Sequence, residues 1–287
     1  MGGWLAGFGC LGVVVLGAVV ALAGVGAGLA PTGSDTAEPS AGATPEAAST
    51  TSSEVDAQVA LFHEERARID ELSLEFDGSP VAWLVADFEW LFRQDELMAD
   101  PSWQQHSAQT VAAQTTTFRE GLEASVAAAQ ARRVNASGSV SEGIVDAAGR
   151  GFVDIQWDAA TTCTPSTETR RITGCIKKGD SLTVHLLPES ELGEWASKFT
   201  VVHELAHVYQ RADNASYLNN DGDYKALLAQ GLFQGSEEVM ADCYALTYYN
   251  EWSLTNGDFT TGYGHVCDEN ERQAIRDWAA TLNAPLG

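Results

Sequence analysis

Basic residues are scarce in this 287-residue chain: 16 Lys and Arg stand against 40 Asp and Glu, a formal net charge of −24. That balance works against nucleic acid as a partner, because a phosphate backbone needs a cationic face. No phosphate-cradling GxxxxGK[ST] loop is present either. Cysteine is sparse, with five in all, and none stands in a CxxC pair, which argues against a cysteine-based zinc site. Cys10 lies in an apolar N-terminal run, and the other four are Cys163, Cys175, Cys243 and Cys267. An even number in an exported domain reads as two disulfides. Three pairings are open, and the simplest is local, Cys163 with Cys175 and Cys243 with Cys267.

Charge is missing altogether from residues 4–30, a Gly/Ala-rich apolar stretch long enough to span a bilayer. It reads as a signal anchor or a cleaved signal peptide over residues 1–30, although neither Lys nor Arg precedes it. Either way the rest of the chain is expected outside the cytoplasm, membrane-anchored through that one segment or secreted. Residues 31–56 are rich in Pro, Ala, Ser, Thr and Glu without apolar periodicity, the composition of a disordered stalk.

Residues 57–133 form a helical region, with helices expected over 57–76, 81–98 and 102–133 from the apolar spacing and from Pro80 and Pro101. Beyond residue 134 the texture changes to Gly-punctuated, β-branched segments, with strands expected at 151–157 and 181–187 and a turn-rich loop between them. Residues 134–287 would then be the core domain. The run from Asn219 to Asp223 has oxygens enough for Ca²⁺ but lacks the full EF-hand pattern, so a solvated turn is expected.

Within that core stands His203-Glu204-Leu205-Ala206-His207, flanked by Thr200-Val201-Val202 and Val208-Tyr209. Two histidines at i and i+4 share one helix face, so both imidazoles can reach one Zn²⁺ at about 2.0 to 2.1 Å. Glu204 follows the first of them and can act as general base toward a water whose pKa zinc lowers to about 7. A polar helix face that happens to carry two histidines is the plainer reading, and the uncharged flanks tell against it.

A catalytic zinc needs a third protein ligand and an open position. About thirty residues on, Glu238 and Asp242 stand at i and i+4 on a second expected helix. One carboxylate can bind the metal while the other accepts the free N–H of a liganding His. HELAH followed at that distance by ExxxD resembles the Glu-zincins, the thermolysin-like division of zinc metallopeptidases. The resemblance covers two short helices. It implies His203, His207 and Glu238 as ligands, Glu204 as general base and Asp242 as the orienting carboxylate.

It also implies an α+β zincin-like fold, with the active-site helix packed under a small mixed sheet and the N-terminal helices as an addition. In such folds an edge strand pairs with an extended substrate, and the segment 181–187 is the candidate by its order in the chain, with an interior strand equally compatible with its composition.

Two rival ligands exist. Asp213 sits where the HExxHxxGxxD variant has its aspartate, but Gln210 replaces the glycine that turns the chain there, and Glu237 would leave Ala241 rather than Asp242 at i+4. If Cys243 pairs with Cys267, the loop Gly262 to Val266 is tied near the metal, which offers His265 as a catalytic group, with Tyr263 or Tyr249 as alternatives. The expected function is an exported zinc metallopeptidase acting on extracytoplasmic protein or peptide. The alternative is an inactive zincin-fold binding or scaffold domain.

Overall fold

A computed structural model of the chain describes residues 52–163 and 171–287. α1 (Ser52–Ser73) begins inside the stretch expected as stalk, and a 3-10 turn at Leu74–Phe76 continues it. One helix was expected over 81–98, but the chain makes two, α2 (Ala82–Val85) and α3 (Phe88–Met98). The break has a local cause. Ala86 is extended, and the Asp87 carboxylate accepts the Trp90 N–H at 2.8 Å, capping a new N-terminus. α4 (Pro101–Arg132) starts with Pro at its first position and Asp100 accepting from the Ser102 N–H, close to expectation.

α5 (Val140–Ala148) lies where strand texture was expected. Ser139 caps it by accepting the Glu142 N–H, so the helix follows the Ser-x-x-Glu signal rather than the β-branched residues around it. Three short strands then form one mixed sheet in the order β1-β3-β2: β1 (Asp154–Gln156), β2 (Gly174–Ile176) and β3 (Thr183–Leu186). β1 runs parallel to β3 and β2 antiparallel to it. The segment offered as the substrate-pairing edge is therefore the centre of the sheet, and β2, from the loop between the cysteines, is an edge.

The short helices α6 (Ala159–Thr162) and α7 (Glu189–Leu192) border the sheet and lead into α8 (Glu194–Ala215). Of its 22 residues 15 are buried, which makes α8 a core helix rather than an amphipathic surface one. α9 (Asp223–Ala229), α10 (Glu237–Tyr248), a hairpin of β4 (Thr255–Asn256) and β5 (Phe259–Thr260), and α11 (Glu269–Leu282) complete the chain.

The result is mostly helical with a small mixed sheet, broadly α+β. The described residues make one compact unit, and one apolar core runs through it: Ile69, Leu91 and Leu122 of the N-terminal helices join Val201, Leu205, Met240 and Ile275. Each such side chain, fully buried, contributes about 1.5 to 3 kcal/mol.

The cysteines pair locally, Cys163 with Cys175 and Cys243 with Cys267. Two disulfides fit an extracellular or periplasmic compartment. The membrane partner expected from the sequence needs correction. No helix among the described residues is long and apolar enough to cross a membrane, and the 4–30 run on which that expectation rested lies outside them.

Candidate metal centre

α8 and α10 pack against each other and bring three donors together. Glu238 Oε2 lies 3.3 Å from His203 Nε2 and 3.2 Å from His207 Nε2. Ligands held tetrahedrally at about 2.0 to 2.1 Å from zinc stand roughly 3.3 Å apart, so these separations suit one ion. A hydrogen bond spans similar distances. His203 Nδ1 is 2.9 Å from Asp242 Oδ1, and His207 Nδ1 is 2.8 Å from Gln210 Oε1. Both partners are acceptors, so each Nδ1 donates to its partner and each Nε2 is left facing Glu238, where it donates to the carboxylate when protonated and offers a lone pair to a metal ion when not. The donor set could hold a metal ion.

The electrostatics agree. Burial alone would lower the His203 pKa, but hydrogen bonds to Asp242 and Glu238 and the charge of Glu204 outweigh it, and the imidazole is pushed up to about 10. Burial pushes Glu238 up as well, yet the two histidines hold its carboxyl well below the usual carboxylate range. A field that attracts a proton this strongly attracts a cation. Glu204 shows the opposite balance: burial raises its pKa against the pull of His203 and His207. A carboxylate made more basic by its surroundings suits proton abstraction.

The local folds that hold these groups are specific. Ser236 caps α10 by accepting the Val239 N–H, which sets Glu238 in the first turn. Asp242 is fully buried, and its second oxygen accepts the Tyr263 N–H at 2.6 Å. Gly262 is required at that contact. Its φ is +74°, and a Cβ there would stand 2.5 Å from Asp242 Oδ2. The disulfide from Cys243, beside Asp242, to Cys267 ties the same loop down. Tyr263 stacks on the His203 ring, with centroids 6.2 Å apart and planes 14° apart.

The structure brings together His203, Glu204, His207, Glu238 and Asp242. The His265 nitrogens are engaged by other residues: Nε2 of that ring is 2.7 Å from Glu271 and Nδ1 accepts from Gln234 at 3.2 Å. Tyr249 is likewise occupied, donating to the Lys198 carbonyl. Asp213 is buried elsewhere, accepting the Tyr224 N–H and the Trp278 indole N–H, and Glu237 accepts from the Tyr224 hydroxyl. Asn219 lies in a turn that leads to the start of α9 at Asp223, with the Asp221 N–H donating to the Asn219 side chain.

Gln210 is the residue the sequence reading treated only as a missing glycine. It orients His207, and its amide N–H is anchored on the Glu237 carbonyl at 3.2 Å. Its place three residues after His207, on the same helix face, was the available signal.

No known protein family, no curated protein and no solved structure matches this chain.

Proposed function

We propose that this protein is a zinc-dependent peptidase acting on extracytoplasmic protein or peptide, with His203, His207 and Glu238 as the metal ligands. One observation carries the reading: two imidazole nitrogens converge on one carboxylate oxygen while both opposite nitrogens are engaged by acceptors, and Glu204 adjoins the first of them. When bound, zinc supplies a Lewis acid that lowers the pKa of water toward about 7 and polarises a carbonyl.

The chain's own residues supply the rest. Glu204, held basic by burial, takes the proton from the attacking water and returns it to the departing amide nitrogen. Asp242 fixes the His203 tautomer with one oxygen and the Tyr263 loop with the other. Gln210 does for His207 what Asp242 does for His203. We assign Tyr263, whose ring stacks beside His203, as the loop side chain that donates to a developing oxyanion.

The test is digestion of a peptide library by the purified protein, read by mass spectrometry with and without a chelator. The expected result is cleavage that the chelator removes and added zinc restores. Cleavage indifferent to chelation, or none from a zinc-loaded protein, would contradict the assignment.

A further inference from the structure

The three donors of the centre are held in different ways. His203 has Asp242 behind its ring and His207 has Gln210, whereas the Glu238 carboxylate bonds only to the two histidines among the described residues. Its side chain is 44% exposed, so close packing does not fix it. Where Glu238 stands therefore depends on where α10 begins, at the Ser236 cap two residues before it.

The turn leading into that cap is strained. Phe233, Gln234 and Gly235 take φ of +54°, +54° and +68° in succession, inside the 3-10 turn Leu232–Gly235. Glycine enters the left-handed region freely, but Phe and Gln stay there only where their surroundings hold them. Two contacts do so. The Phe233 side chain is fully buried in the main core, and the Phe233 N–H donates at 2.7 Å to Glu271 Oε1. The Ser236 N–H then closes the turn on the Phe233 carbonyl at 3.0 Å. Glu271 comes from α11 and is buried, and its other oxygen accepts the Asp268 N–H at 3.2 Å in a capping box and meets His265 Nε2.

We propose that Glu271 is a positioning residue for the metal centre: by holding the Phe233 N–H it fixes the left-handed turn, and the turn sets the start of α10 and with it Glu238. The proposal rests on the ligand assignment made for the proposed function. Glu271 touches neither ligand nor substrate. It gives Glu238, through the backbone, the support that Asp242 and Gln210 give the histidines through their rings. His265 sits on the other oxygen, so its removal leaves the Phe233 N–H bonded.

Zinc affinity separates this role from ordinary helix capping. Measured by competition with a chromophoric chelator well below each Tm, Glu271→Ala should bind zinc about tenfold more weakly than wild type, the lower end of the loss expected when a group behind a ligand is removed. Glu271→Gln keeps an oxygen for the Phe233 N–H and gives up the one that Asp268 uses, so its Tm should fall while its zinc affinity stays at the wild-type value. Asp268→Ala, which removes the cap alone, should behave like Glu271→Gln. Glu271→Asp, one methylene short of Phe233, carries the same expectation as Glu271→Ala should that protein fail to fold. Wild-type affinity in the Ala or Asp protein, or equal weakening in all the variants, would reduce Glu271 to a capping residue and overturn the proposal.

Amide exchange read by mass spectrometry needs no metal. In Glu271→Ala or Glu271→Asp, residues 232–238 should exchange about five- to tenfold faster, the scale of one hydrogen bond, while 203–210 on α8 keep their protection. Unchanged exchange over 232–238 would overturn the proposal even if zinc binding fell. If the wild-type protein binds no zinc, the metal reading fails by itself, and exchange still decides whether Glu271 holds this turn.

Discussion

Two helix pairs, α1 with α4 and α8 with α10, bury charge in opposite ways. Between α1 and α4, Arg119 pairs with Glu65 and reaches Glu123 at 2.6 Å, so the cation has its anions and the cluster is satisfied within the pair. Between α8 and α10, two imidazoles and three carboxylates, Glu204, Glu238 and Asp242, meet, and one donor atom each of His203, His207 and Glu238 converge on one point while Asp242 stands behind His203. Desolvating a charge is costly unless it is compensated. The first cluster is compensated from inside and acts as structure. The second has the donors to be completed by a cation from outside, which is the reading we propose for it.

The comparison breaks most visibly at the base. Glu204→Gln should keep the zinc and lose at least about a hundredfold in turnover, the usual scale for a general base, checked by kcat beside metal analysis. Removing a group behind the donors should cost less. Asp242→Ala is expected to weaken zinc binding by about 10- to 100-fold, read by competition with a chromophoric chelator, because His203 loses its orienting acceptor while keeping its Nε2.

The loop that Asp242 holds separates two aromatic residues. Tyr263→Phe should lower kcat roughly tenfold or more with zinc content unchanged, and His265→Ala should leave kcat near wild type because Glu271 and Gln234 engage both its nitrogens. The smallest effect on activity belongs to the other helix pair. Glu65→Ala removes the buried partner of Arg119 and should lower Tm while zinc affinity and kcat stay as they were. A Glu65→Ala protein that folded normally yet lost zinc would erase the distinction between the two clusters.

What the sequence made legible were the features carried by spacing along a single helix. His203, Glu204 and His207 declare themselves by i, i+1 and i+4, Glu238 and Asp242 by i and i+4, and each pair stays on one face whatever surrounds it. The local disulfides were legible for the same reason, through parity and nearness in the chain. What needed the structure was set by contacts between elements. The role of Gln210 depends on a carbonyl of α10. The central position of β3 depends on a parallel partner nearly thirty residues earlier, which composition does not encode. α5 has its signal in the Ser139 cap and Glu142, which the β-branched texture of the region beyond residue 134 obscures.

The most direct test of the central claim is calorimetric titration of zinc into the wild-type, Glu238→Ala and Asp213→Ala proteins. Asp213→Ala leaves the Tyr224 and Trp278 N–H groups unsatisfied and should lose about 1 to 3 kcal/mol of stability, yet bind one zinc per chain with wild-type affinity. Glu238→Ala should fold and fail to bind. Normal zinc binding by Glu238→Ala together with its loss in Asp213→Ala would contradict the account.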